Sequence, residues 1–154
     1  MPGEKDKMSE RELRFSRLLN APVKLVWEVW TNPKHIKLWW GPDGFSNSIH
    51  KMDVKPGGEW NMIMHGPDGK NYKIVSMFRE IVKYKKIVYE QQGNFNCIAT
   101  IEFEKRGDKT LINWIMLFES KEYLIQAAKT YGVDTGLNQT AERLMNYLFK
   151  LKKQ

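Results

Sequence analysis

The stretch DVKPGGEWNMIMHGPDG, residues 53–69, sets Trp60, Met62 and Met64 between two glycine-bearing turns, with Asp53, Glu59 and His65 among its ionisable groups. A phosphate-binding loop would need several backbone N–H groups converging at a helix N-terminus and a Lys close by. Here Gly57-Gly58 leads into a strand-like run and no GK[ST] follows. Acid–base chemistry would need a carboxylate or His whose pKa a cavity has shifted. Asp53, Glu59, His65, Glu80 and Glu90 are the candidates. Strand parity turns Glu59 and His65 away from Trp60, toward solvent, and Asp53 can bond the N–H groups of the turn that follows it. Glu80 shares the parity of Phe78 and Glu90 that of Val88, and an inward-facing Glu at either position would favour catalysis. No Ser-His-Asp or Cys-His arrangement and no metal-ligand spacing is legible, and no cofactor is expected.

The remaining chemistry is apolar recognition. Alternation puts Trp60, Met62 and Met64 on one face of their strand. Tyr72, Ile74, Ser76 and Phe78 share a face of the next, and Ile112, Trp114, Met116 and Phe118 a face of a later one. Trp and Met together make ordinary core, but Met also fills irregular space where different ligands must fit. Tyr72, Tyr89 and Trp114 can each place one polar atom in an apolar surround, the mixture of a small-molecule site.

These faces need elements to hold them. ELRFSRLLN, 12–20, reads as a strand. Residues 21–31 read as a helix with Val23, Val26, Trp27 and Trp30 on one stripe and Pro22 in its first turn. Asn32 caps a second short helix with Pro33 at its first position, and Gly41-Pro42 ends it. The period then changes to two, with strands expected at 47–54, 59–65, 71–82, 85–92, 96–105 and 109–118. Their separators are turn sequences: Pro56-Gly57-Gly58, Gly66-Pro67-Asp68-Gly69, Gly93-Asn94 and Arg106-Gly107-Asp108. Short links imply an antiparallel meander. Ser120 opens a short helix, and residues 133–151 form a long one. Its stripe of Leu137, Ala141, Leu144, Leu148 and Leu151 must lie on the sheet. Each buried Leu contributes roughly 1.5–3 kcal/mol before entropy is subtracted. A bent antiparallel sheet gripping this helix, an α+β fold, satisfies the order and can leave a space between the two.

The 154 residues, 42% of them apolar, fit one domain over 11–154 behind a loose, disordered leader at 1–10. The net charge of +7 comes from 25 basic and 18 acidic residues that are interspersed. Lys83, Lys85 and Lys86, and Lys150, Lys152 and Lys153, are local clusters of a solvated surface, and no nucleic-acid partner is expected. Cys97 is alone and reads as a small core residue. With no signal-like apolar segment and no membrane span, the expected location is cytoplasmic. Six Trp could fill a cavity as readily as line one.

An ordered set of residues now carries a resemblance. It runs through Arg17, Ala21-Pro22, Val26-Trp27, Trp30-Thr31-Asn32-Pro33, Trp39-Trp40-Gly41-Pro42, Asp53, Pro56-Gly57-Gly58 and Trp60. It continues with Gly66-Pro67-Asp68-Gly69, Tyr72, Glu80-Ile81, Thr110, Gly136, Leu144 and Tyr147-Leu148. Over roughly residues 11–150 the chain resembles the domain named after the activator of the heat-shock-protein-90 ATPase, in the START-like (SRPBCC) superfamily. The resemblance implies a helix-grip, Bet v-like fold, with a cavity between sheet and C-terminal helix that the superfamily uses for lipids, polyketides and other apolar molecules. The chain departs from the family at two places that the resemblance would set near that cavity. Ser76 stands where Gly is common, and Leu137 follows Gly136 where Trp is common.

Together these readings set the expectation of a small hydrophobic or aromatic ligand. Its contacts would be Trp40, Trp60, Met62, Met64, Tyr72, Ser76, Tyr89, Trp114 and Met116 from the sheet side, with Leu137, Leu144 and Tyr147 from the helix. Roughly half of these would serve as plain core. A polar replacement of Trp60 is expected to abolish binding in a folded protein. The alternatives are a regulator of the chaperone ATPase and a cyclase- or hydrolase-type enzyme using the same cavity. Family members that activate the chaperone add a separate chaperone-binding domain, which this length does not hold. The chain is expected to be a monomer or homodimer.

Overall fold

Alternating burial along successive strands bends one antiparallel sheet around a helix. The computed structural model describes residues 7–8, 10–93 and 95–152. In chain order the strands are β1 (Lys7–Met8), β2 (Glu12–Leu19), β3 (Ser46–Met52), β4 (Glu59–His65), β5 (Asn71–Val82), β6 (Lys86–Gln92), β7 (Cys97–Arg106) and β8 (Lys109–Leu117). Helices α1 (Val23–Thr31) and α2 (Pro33–Trp39) lie between β2 and β3, and α3 (Lys121–Tyr131) and α4 (Val133–Lys152) follow β8. The sheet order is β1-β2-β8-β7-β6-β5-β4-β3, so β3 to β8 form the expected meander and β2 is stitched to the last strand. Of the leader expected to be loose, Lys7 and Met8 pair with Arg14 and Leu13, while residues 1–6 and 9 lie outside the described residues. So do Asn94 of the Gly93-Asn94 turn and Lys153 of the terminal basic cluster.

The helix signals act as their chemistry dictates. Asn32 accepts a hydrogen bond from Lys34 N at 3.0 Å, with Pro33 at the first helical position. Ser120 Oγ accepts from Tyr123 N at 3.0 Å. Gly132, at φ +62°, ends α3 in the left-handed conformation that glycine adopts at low cost. Pro22 sits one residue outside α1, as its extended cap. The apolar stripe of α4 buries Val133, Leu137, Ala141, Leu144 and Leu148.

One device changes which side chains face inward. The register between β5 and β6 shifts between Phe78 and Glu80, a β-bulge that adds one residue and reverses the parity beyond it. Phe78 is buried, Glu80 is exposed and pairs with Lys86 at 3.4 Å, and Ile81 packs against the core instead. The parity expectation for Glu80 is thereby corrected.

The Pro56-Gly57-Gly58 turn is set by two different demands. Gly57 has φ +82° with open space around it, whereas a Cβ on Gly58 would lie 1.9 Å from the Asp53 carbonyl oxygen. Gly57 N and Phe78 N also bond across to Phe78 O and Gly58 O, at 2.7 and 2.8 Å. Gly57→Ala is expected to cost about 1–2 kcal/mol, the left-handed penalty alone. Gly58→Ala displaces backbone and should cost about 3 kcal/mol or more. Urea unfolding of the two variants checks the order, and equal losses would contradict it.

Candidate functional site

A cavity of about 230 Å³ lies at the end of the sheet where the β4–β5 turn, the β6–β7 connection and the α3–α4 junction meet. Trp40, Gly41, Pro42 and Phe45 form one lip. Met64, Tyr72, Ile74, Tyr89, Gln91, Trp114 and Met116 form the sheet wall, with Phe95 beside them. Thr130 to Val133 and then Gly136, Leu137 and Thr140 form the helical wall. Among the described residues no Asp, Glu, Lys, Arg or His borders the cavity.

Seven of the twelve expected residues therefore meet at the cavity: Trp40, Met64, Tyr72, Tyr89, Trp114, Met116 and Leu137. Trp60, Met62, Ser76, Leu144 and Tyr147 do not border it. Distance along the elements explains four of these. Trp60 stands four residues from Met64, about 13 Å along the strand, and Ser76 is paired with it in register. Leu144 and Tyr147 lie about 10 and 15 Å down α4 from Leu137. Trp60 is 1% exposed, its ring parallel to that of Phe78 at 5.7 Å and edge-on to Tyr89 at 5.1 Å. A polar residue there would break core, so the expected Trp60 test probes stability and not the site. Tyr147 bonds His35 Nδ1 through its hydroxyl at 2.6 Å, and Met62 is plain core. Sequence reading missed Gln91, which follows Tyr89 at the in-facing spacing of two, and Thr140, one helical step from Leu137. It also missed the loop residues, for which no periodicity exists.

The polar groups of the wall are few. Tyr89 is 2% exposed, and burial, aided by neighbouring Cys97, pushes its phenol well above the usual tyrosine range. It remains a neutral hydroxyl. Gln91 donates from Nε2 to the Phe95 carbonyl at 3.4 Å. Thr140 Oγ1 donates to the Gly136 carbonyl at 2.8 Å. A carboxylate or ammonium placed in such a wall would lose several kcal/mol of hydration with no counter-ion to restore it.

Arg143 of α4 fixes the lip from behind. Its Nη1 donates to the carbonyls of Trp40, Gly41 and Pro42 at 3.1, 2.9 and 2.9 Å, and Nη2 to Leu38 O at 3.4 Å. Partial burial lowers the guanidinium pKa from its usual value, against the opposing charge of Asp43. The lip is tight. Gly41 has φ +100°, and a Cβ there would lie 2.9 Å from Met64 Cε.

The acid–base candidates stay outside. Glu59 pairs with Lys51 at 2.8 Å, Asp53 with Lys55 at 3.5 Å and Glu90 with Arg79 at 3.4 Å, all on the solvent side. Asp53 meets the turn through its backbone carbonyl, which accepts from Lys55 N at 2.9 Å. A Ser-His-Asn chain that the sequence did not reveal forms on the outer face of β3, β4 and β5. Ser48 Oγ lies 2.7 Å from His65 Nε2, and His65 Nδ1 lies 2.7 Å from Asn71 Oδ1. Ser48 and Asn71 are exposed, and an amide in the third place cannot stabilise an imidazolium as a carboxylate does. Among the described residues no three His, Cys, Asp or Glu side chains group to hold a metal, and no helix is long and apolar enough to cross a membrane.

A curved antiparallel sheet closed over a long C-terminal helix, with a cavity between them, defines the helix-grip fold of the START-like superfamily. Solved structures share it. A solution NMR structure of an Arthrobacter aurescens protein matches at TM-score 0.84 and 23% identity, covering 90% of this chain and 86% of that one. A crystal structure of a Nitrosomonas europaea protein matches at 0.84 and 24%, covering 94% and 97%. A Mycobacterium smegmatis protein matches at 0.79 and 20%, covering 96% and 93%. Likeness at these identities shows the fold alone. Residues 20–148 match the family described as "Activator of Hsp90 ATPase homolog 1-like protein", and the chain belongs to that family. No curated protein matches it.

Two outcomes follow from this geometry. Arg143→Lys keeps a charge but not the fork, so it should cost about 1–3 kcal/mol in urea unfolding. It should also speed amide exchange at Gly41 to Phe45 more than elsewhere; uniform exchange would show that the lip does not depend on the clamp. Cys97, paired across strands with Gln91 and buried, has its thiol pushed up to about 12 by burial, from 9.0. The folded state holds the proton that the unfolded chain releases, so this stability is full below pH 9.0 and is lost as pH rises toward about 12. Iodoacetamide labelling at pH 8 should therefore track global unfolding, and rapid labelling of the folded protein would contradict the burial.

Proposed function

We propose that this chain binds a small apolar or aromatic molecule in the cavity between its sheet and α4. The observation that carries the reading is a cavity of about 230 Å³ walled by aromatic, Met and Leu side chains and bordered by no charged residue among those described. An apolar cavity of about 150 Å³ holds benzene, so this space suits a molecule of about one ring. The reading is of binding without turnover, since every carboxylate candidate lies on the outer surface. Cytoplasmic action fits a chain whose one Cys is a buried thiol. Regulation of the Hsp90 ATPase is the activity that the family description carries, and stimulation of that ATPase by the purified chain would bring it forward.

Native mass spectrometry of the purified protein, followed by analysis of a denatured extract, tests the proposal and gives the oligomeric state together. A released aromatic or apolar compound supports it. Leu137→Trp gives a second test, placing in the wall the residue that the resemblance makes common there. It should lower ligand affinity more than about tenfold while changing stability by less than about 1.5 kcal/mol. Unchanged affinity would move the site away from this cavity.

A further inference from the structure

Two buried polar side chains of the cavity wall have hydrogen-bonding capacity that the fold itself leaves open. Tyr89 and Gln91 stand two residues apart on β6, so both face inward, 2% and 7% exposed. Gln91 Nε2 faces the Phe95 carbonyl at 3.4 Å. A carbonyl only accepts, so the amide nitrogen is the end turned to Phe95, and Oε1 is the open acceptor. The Tyr89 hydroxyl makes no hydrogen bond to any described residue, and neither it nor Gln91 Oε1 is sealed inside the protein as Ser76 Oγ is. Buried polar groups are normally paired. Two open ones on the wall of one apolar cavity are the means by which such sites orient a ligand.

Charge sets the second condition. Among the described residues no carboxylate, ammonium, guanidinium or imidazole borders the cavity, and the nearby Arg143 Nη1 already donates to three lip carbonyls. The first turn of α4 also borders it, and the helix dipole there favours an acceptor oxygen. Asp134 in the same turn offsets a full positive end.

Resting on the reading that the cavity holds a small molecule, we infer that this molecule is a neutral single ring bearing a carboxamide or hydroxyl group, which accepts from the Tyr89 hydroxyl and donates to Gln91 Oε1. Aromatic walls take the ring, and the group that both donates and accepts pairs the two open atoms together. A plain hydrocarbon would leave both unpaired, and a carboxylate would offer no donor to Gln91 and no neutralising partner for its charge.

Calorimetric titration of the full chain at pH 7 with benzamide, phenol, toluene and benzoate tests this. Benzamide or phenol should bind roughly tenfold tighter than toluene, and benzoate weakest. Tyr89→Phe and Gln91→Leu should each erase that preference while toluene binds at least as tightly as to the parent chain, since neither variant leaves that polar group unpaired against it, and circular dichroism reports that the variant folds. Toluene binding as tightly as both polar probes, benzoate binding tightest, or a preference kept in both variants would each overturn the inference and leave the cavity reading standing. Failure of all four probes to bind overturns the cavity reading, and the inference with it. If a variant does not fold, the ranking of the probes on the parent chain decides alone.

Discussion

The edge-to-face contacts of Trp30 tie the two short helices to the sheet, and the site depends on them. From α1, Trp30 meets Trp39 and Trp40 at 4.9 and 5.6 Å, Trp114 of β8 at 4.8 Å and Phe103 of β7 at 6.0 Å. Pairs of this kind contribute about 0.5–1.5 kcal/mol each beyond the area they bury. The indole of Trp39 also donates to the Val29 carbonyl at 3.1 Å, which fixes how α2 leaves α1. With α2 fixed, Trp40 is fixed, and it meets Trp60, Tyr89 and Trp114 at 5.0, 6.4 and 5.6 Å. One side chain at a helix end thus gathers three strands into a wall, and the lip that follows it is held by Arg143. The core contacts and the cavity wall are one network.

The same network positions the cavity toward one end of the sheet. Trp27, Trp30, Trp39 and Trp60 fill the far end, while Trp40 and Trp114 border the cavity. Along α4 the inward side chains are Leu144 and Leu148 at the filled end, and Val133, Leu137 and Thr140 with Gly136 beside the cavity. Pro42 lies so close that a Cβ on Gly136 would be 3.1 Å from its Cγ. Lip and helix therefore meet over the space without filling it.

Period and turn chemistry made the architecture legible: alternation located β4, β5 and β8, Asn32 and Ser120 marked helix starts, and Pro56-Gly57-Gly58 marked a turn. Parity also sorted the inner faces, which is why Met64, Tyr72, Trp114 and Met116 were found. What parity lacks is position along the element. It grouped Trp60 with Met64 and Leu144 with Leu137, although only the second member of each pair borders the cavity. The bulge after Phe78 defeated parity for Glu80, because one extra residue has no composition of its own. Ser48 and Asn71 join His65 only through the pairing of three strands, a long-range fact that no local pattern contains.

Buried polar atoms separate core from site more sharply than burial alone. The indole N–H groups of Trp30, Trp60 and Trp114 are enclosed without a hydrogen-bond partner. Each of these rings also takes part in edge-to-face contacts, which present aromatic faces to donors of this kind. That arrangement offsets part of their desolvation and needs nothing from outside the core. Tyr89 also meets Trp40 and Trp60 edge-on, at 6.4 and 5.1 Å, but its hydroxyl, unlike the three indole N–H groups, is not sealed inside the protein. Trp40 stands against Tyr89 at 6.4 Å as a wall, and the Phe95 carbonyl engages only the nitrogen of Gln91. An aromatic core can thus carry unpaired donors internally, while an accessible hydroxyl and an amide oxygen on a cavity wall gain most from a partner that enters.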